Sequence, residues 1–400
     1  MVCSNKKLYK FLSLGRHPNA DGFLSKEEFG REKAYLLDVF FCNECKLVQL
    51  GFAANPKDLF TSHFVYTTGS SGELVRNFKE LVEKVIQRFN LSEKDFVIDI
   101  GSNDGTLLEN YLPNKIKVLG VDPSEAARLA EEKNIPTLGE FFNGQTAKKI
   151  FRQYGKAKVI TATNVFAHVK ELDSFMKGIK ILLSDGGAFI EESHYVFDLV
   201  QKMEYDSIYA EHLRYYSLRP LIKLFGKHGL DVFDAERIST HGGSLRVYAC
   251  EKSAVPVSKN VKKILEEEKK FGLYRKKTFT GFAKRVKENR EKLRKMVFEL
   301  KAKGSRIIGI GAPAKGNTLL NYCGIGTETL DYLAEKPNLK VGKFSPGMHI
   351  PVVDESKMFE EQPDYALLLA WNLKDIIVPK LKEKGFRGKI IVPVPEPKIV

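Results

Sequence analysis

In the stretch "SIYAEHLRYYSL", Ser207 to Leu218, the residues Tyr209, Glu211, His212, Tyr215 and Tyr216 stand almost side by side. Histidine has an ordinary pKa of about 6.5, so near neutral pH it keeps a lone pair with which to accept a proton. A carboxyl and several phenols close by are groups that support such a base. The same residues also suit an exposed polar turn before a helix that Ser217 would cap. His241, in "THGGS", is a competing base, although the two glycines after it equally suit a backbone kink.

A second group of residues could hold a small cofactor. "VIDIGSNDG" is an apolar strand that ends in an acid, Asp99, followed by Gly101, Asn103 and Gly105. Glycines at a strand–helix corner let a ligand approach the backbone closely. The spacing is not the G-x-G-x-x-G of a dinucleotide site. It resembles the acid-x-Gly-x-x-x-Gly turn of class I S-adenosylmethionine-dependent methyltransferases, whose cofactor has a cationic end and no phosphate to repel Asp99. Asp122 and Pro123, in "LGVDPS", end the next strand, where an acid commonly takes ribose hydroxyls. Asn164 and the pair Phe141–Phe142 are further candidates for this pocket, with core packing an equal alternative for the two rings.

Two other patterns carry chemistry. "FCNEC" places Cys42 and Cys45 as half of a zinc knuckle, with Cys3 belonging to the other half; reduced cysteines without metal are the alternative. "GIGAPAKGNT" fits G-x-G-x-x-A through Gly309, Gly311 and Ala314, and Asp331 follows where a ribose-binding acid would sit. A nicotinamide-dependent oxidoreductase is therefore a rival reading. A Walker-type loop is excluded, because Asn317 follows Gly316 where lysine is needed.

The elements that must position these groups follow from patterning. A chain of 400 residues exceeds one ordinary core, and 43% hydrophobic residues leave ample apolar surface to bury. Strand-like runs alternate with helical ones from about Glu73 to Cys250, and again from "SRIIGIG" to "KIIVPVPE", which reads as two α/β blocks on mostly parallel sheets. Of the net charge of +14, a balance of +12 lies between Lys252 and Lys303. There Phe279, Phe282, Val286, Leu293, Val297 and Leu300 recur at the spacing of one buried helix face, so the charge belongs to solvated connector helices that Ser258 or Asn260 could cap. Nucleic acid is thus not the expected partner. The longest apolar runs are too short to span a bilayer, and "MVCSNKKLYKFLSLG" lacks the apolar core of a signal peptide. A cytoplasmic protein without disulfides is expected, and a monomer.

Together these motifs resemble the bacterial nucleotide-sugar C-methyltransferases, which methylate a carbon of a keto-deoxysugar carried on a nucleoside diphosphate. The likeness runs through "FCNECKLVQL" and "VYTTGSSG", then "IDIGSNDGTLL", "IYAEHLRYYS" and "THGGSLRVY", and finally "IGIGAPAKGNTLLNYCGIG" and "DYALLLAWN". It implies a class I methyltransferase core (76–252) with a small zinc-type module before it (1–75). A basic helical connector (253–303) then leads to a C-terminal Rossmann-like α/β domain (304–400). It implies S-adenosylmethionine and one structural zinc ion. The zinc set would be Cys3, Cys42 and Cys45 with a fourth ligand either upstream or supplied by another residue such as His17. The family's Tyr-x-Glu-His falls on Tyr209, Glu211 and His212. His212 would be the base, with Glu211 orienting it and Tyr209 serving the enolate oxygen, while a further active-site tyrosine falls on Tyr66. The C-terminal turn would hold the substrate's diphosphate through Gly311, Lys315 and Asn317.

Overall fold

The structure is a computed structural model that describes residues 2–55, 59 and 67–400. Tyr66 lies outside the described residues. Three sheets carry the architecture.

The first is antiparallel and small. β1 (Leu8–His17) pairs with β2 (Tyr35–Cys42), and β2 with β3 (Val48–Leu50). Alternate residues such as Leu12, Leu14, Leu37, Val39 and Phe41 face inward, the period of a half-buried strand. Its fourth strand comes from elsewhere: β9 (Arg214–Tyr215), directly after His212, pairs with Val48 and Gln49 of β3. The N-terminal module and the His212 segment therefore fold as one surface.

The second sheet has seven strands: β4 (Phe96–Ile100), β5 (Lys117–Val121), β6 (Thr137–Leu138), β7 (Ala157–Thr163), β8 (Leu183–His194), β10 (Leu230–Ile238) and β11 (Ser244–Glu251). Their order is β10-β11-β8-β7-β4-β5-β6, with β11 antiparallel to both its neighbours and parallel pairing from β8 through β6. Strand order reverses at β4, which lies between β5 and β7. Such a switch point opens a crevice at the carboxyl ends of the strands, where ligands bind. Gly101 and Asn164 follow β4 and β7 at that crevice.

The third sheet comprises β12 (Ile307–Ile310), β13 (Leu333–Glu335), β14 (Val352–Asp354), β15 (Tyr365–Leu368), β16 (Lys389–Val392) and β17 (Lys398–Ile399). It is parallel except for β17 and switches order at β12, so Gly311 sits at a second crevice.

The basic segment forms two helices, Lys259–Phe271 and Lys276–Ala302, and the Ser258 hydroxyl caps the first. Phe279, Phe282, Val286, Leu293 and Val297 are buried, as the spacing requires, with Leu300 half-buried. The long helix is a spine. Phe279 packs against Phe11 and Phe41 of the first sheet. Asn289 accepts from the Tyr205 hydroxyl and donates to the Pro393 and Pro395 carbonyls. The helix thereby fixes the N-terminal, central and C-terminal parts on one rod. Among the described residues, no helix is long and apolar enough to cross a membrane.

Candidate functional site

A single cavity of about 2160 Å³ runs from the crevice of the second sheet to that of the third. Asp99, Gly101, Asn103, Asp122, Pro123, Phe142 and Asn164 line one end, and Gly311 and Lys315 the other. Tyr209, Glu211, His212 and His241 also line it.

At the first end, backbone conformation explains the glycines. Gly101 and Gly105 have φ of +72° and +76°, and a Cβ on either would collide with Val165 or with Ile135 and Ala130. Gly105 does not line the cavity; it lets the turn pack on the next helix. The Asn103 amide donates to Asp122 Oδ2 at 2.9 Å, while Asp122 Oδ1 accepts from the Ser124 amide and hydroxyl. Asp122 thus braces the turn and still lines the cavity, with acceptor capacity left for a hydroxyl pair. Asn103 does not present a free side chain, since its Oδ1 accepts from the Thr68 amide and hydroxyl. Phe142 reaches the cavity while packing edge-on against Phe175. Burial pushes the Asp99 carboxyl up to about 7, against the 2.6 Å bond from the Thr161 hydroxyl and helped by the nearby Asp122 charge. A cation beside Asp99 reverses that shift, which suits a cofactor with an ammonium group. These residues fit S-adenosylmethionine.

The Ser207–Leu218 stretch is not a wet turn. All of it is buried except Tyr209 and His212, the two residues left half-buried toward the cavity. His212 Nδ1 lies 3.2 Å from the Ser207 carbonyl, which only accepts, so Nδ1 carries the proton. The lone pair is then on Nε2, which accepts from the Tyr209 hydroxyl at 3.1 Å. Burial, with His168 and His194 nearby, holds the ring well below its ordinary pKa, so it is neutral at pH 7. Glu211 does not orient it. The Glu211 carboxyl accepts instead from the Ala20 amide of the N-terminal module at 3.1 Å, and burial pushes it up to about 7. Ser217 precedes a helix, Leu218–Lys227, but its hydroxyl makes no cap bond.

Several cavity residues escaped the sequence reading. His168 Nδ1 donates to the Glu211 carbonyl at 2.7 Å, and its ring lies 4.9 Å from that of His212. His194 Nε2 meets the Glu204 carboxylate at 2.6 Å. His241, the competing base of the sequence, is half-buried at φ +55° on the cavity wall, and desolvation lowers it to about 4. The position of His194 at the end of the strand-like run "GGAFIEES" was the available signal.

The C-terminal turn departs from expectation in two respects. Asn317 is buried away from the cavity, and its amide donates to the Ala20 carbonyl at 2.7 Å, so it holds the N-terminal module rather than a substrate. Asp331 precedes β13, at the opposite end of the sheet, and pairs with Lys301 and Arg306. The acid at the carboxyl end of β13 is Glu335, whose Oε2 accepts from the Ala312 amide at 2.7 Å. Lys315 donates to Asn372 and lies 4.8 Å over the Trp371 ring, its ammonium at the cavity wall.

Cys3, Cys42 and Cys45 gather with their sulfurs within 4.8 Å of one another, Cys3 and Cys42 at 3.6 Å. Thiolates about 2.3 Å from a tetrahedral ion have nearly that separation, so the trio fits zinc. The turn after them has Lys46 at φ +63°, its amide bonded to the Cys42 carbonyl. His17 is not a ligand: it sits at the far end of β1 and bonds the Leu14 carbonyl.

Three family models match in the order of these parts. They are "Putative zinc binding domain" over residues 1–60, "Methyltransferase domain" over 74–235 and "C-methyltransferase C-terminal domain" over 239–395. The chain is 33% identical over 405 residues to the C-methyltransferase NovU of Streptomyces niveus, covering 100% of this chain and 96% of that one. An S-adenosylmethionine-dependent methyltransferase of Clostridium acetobutylicum matches 45% of this chain and 92% of its own, at 16% identity and TM-score 0.35. The magnesium protoporphyrin IX methyltransferase of Synechocystis with bound S-adenosylhomocysteine matches 45% and 83%, also at 16% identity and 0.35.

Proposed function

This chain belongs to the S-adenosylmethionine-dependent C-methyltransferases, and from that premise we propose that it methylates a carbon beside the ketone of a nucleoside-diphosphate-linked 4-keto-deoxysugar. The observation that carries this reading is the placement of His212. A neutral imidazole with its lone pair on Nε2 lines the same cavity as both the Asp99–Asp122 turn and Lys315. Carbon is a poor nucleophile until an adjacent carbonyl lets its proton go, so a base between cofactor and substrate sites supports a keto substrate.

The cofactor's sulfonium supplies the methyl group. Asp99, Asp122 and the Gly101 turn orient it along the switch-point crevice. His212 Nε2 takes the α-proton, and the Ser207 carbonyl stabilises the Nδ1–H of the imidazolium that forms. Tyr209, which donates to Nε2 in the substrate-free geometry, turns its hydroxyl to the substrate as Nε2 is protonated. Lys315, held over Trp371, gives the diphosphate a fixed charge partner.

The test is to incubate the protein with methyl-labelled S-adenosylmethionine and a panel of keto-sugar nucleotides, then locate the label by NMR. Label on a carbon adjacent to the ketone is expected. Label on oxygen, or transfer only to sugars without a nucleotide, would sink the reading.

A further inference from the structure

The carboxylate-backed imidazole expected at Glu211–His212 exists elsewhere in the cavity. His194 ends β8 and Glu204 follows the next helix, and the two side chains meet at 2.6 Å with 8% and 1% exposure. Among the described residues His194 Nδ1 is a buried nitrogen with no partner, and His194 and Glu204 both line the cavity with Tyr209 and His212. The surrounding turn is shaped to admit this pair. Gly242 has φ +91°, and a Cβ there would overlap Glu204 Oε1. Burial opposes ionisation of Glu204, yet His194, Lys315 and Lys202 together hold its carboxyl below the ordinary range. His241, which desolvation keeps neutral, lines this wall too, together with Arg237, Lys202 and Lys315.

We propose that His194, protonated on both ring nitrogens with its Nε2–H held by the Glu204 carboxylate, is a second catalytic residue that presents Nδ1–H to the ketone oxygen while His212 works on the neighbouring carbon. This rests on the keto-sugar reading above. Enolisation needs a donor at oxygen as well as a base at carbon, since imidazole alone is too weak to strip a ketone's α-proton. The α carbon–hydrogen bond breaks, its proton goes to His212 Nε2, and its electron pair becomes the carbon–carbon double bond. The carbonyl pair moves to oxygen, where the His194 Nδ1–H hydrogen bond stabilises it. The double bond then attacks the methyl carbon, the carbon–sulfur pair stays on sulfur, and the ketone re-forms. His194 ends as it began. Tyr209 can share the oxygen, but as a neutral phenol, whereas a charge-assisted donor is roughly twice as strong as a neutral one.

The experiment uses the full chain with S-adenosylhomocysteine and a keto-sugar nucleotide carrying 13C at the ketone. In the wild type, the bound carbonyl resonance should move downfield and the α-proton should exchange with deuterated solvent. His194→Gln should return the resonance toward that of the free ketone and slow exchange by about a hundredfold, as loss of an oxyanion donor does. Glu204→Gln, a change in the positioning residue, should give an intermediate carbonyl shift. S-adenosylhomocysteine affinity reports that each variant is folded, and His194→Asn replaces any that is not. An unchanged carbonyl shift and exchange rate in the folded His194 variant would overturn the proposal alone. A wild type that neither exchanges nor methylates any keto sugar would overturn the keto-sugar reading, and this proposal with it.

Discussion

Trp371 Nε1 donates to Asp206 Oδ2 across 2.6 Å, joining the third sheet to the loop that carries His212. Asp206 is fully buried, and burial raises its carboxyl despite the nearby Lys315 charge and this bond. Because Lys315 lies over the same indole, substrate charge and base share one wall. Trp371→Phe should keep the ring but leave Asp206 short of a donor, at about 1–3 kcal/mol of stability. Denaturant unfolding measures that loss. Turnover should fall while S-adenosylhomocysteine affinity, set at the other end of the cavity, stays near the wild-type value.

His212→Ala should lower turnover by about a hundred- to ten-thousand-fold, the range for removing a general base. Cofactor affinity should hold, since His212 is not part of the Gly101 turn. His241→Ala should cost less, because His241 Nε2, unlike that of His212, is shut off from solvent and has no partner among the described residues. The reverse ranking in steady-state kinetics would make His241 the base.

Asp99 should make cofactor affinity depend on pH. With its carboxyl up at about 7 in the cofactor-free protein, most of it is protonated at pH 6 and most ionised at pH 8. An ammonium group favours the ionised form, so binding releases a proton at low pH and tightens as pH rises through this window. The slope is at most about tenfold per pH unit. Calorimetry with S-adenosylhomocysteine in buffers of different ionisation enthalpy reads both effects. Asp99→Asn should flatten the profile.

The cysteine trio should carry about one zinc per chain. Cys42→Ser should lose most of it and lower the melting temperature, because β2 and β3 meet at this turn and β9 hangs on β3. Chelation of the wild type should mimic the variant. Metal analysis beside a thermal melt checks both, and a metal-free protein with three freely titratable thiols would contradict it.

Local backbone demands were legible in the amino-acid order. Gly101, Gly105 and Gly311 mark strand ends with positive φ, a requirement met within a few residues. The buried face of Lys276–Ala302 was equally readable, since a helix repeats its facing residues every three or four positions. Cys3, Cys42 and Cys45 announced their chemistry by type. What each polar side chain would meet was decided by tertiary structure. Glu211 adjoins His212 in sequence, yet its carboxyl reaches Ala20, 191 residues away, because β9 pairs with β3 and brings the N-terminal module against it. Asn317 looked like a ligand of the glycine turn and serves the same module. Asp331 and Glu335 lie four residues apart, but a strand between them sends them to opposite ends of the sheet. His194 finds Glu204 only after a helix folds the chain back. Spacing constrains neighbours along one element, whereas the partner of a buried charge depends on which distant segment excludes water from it.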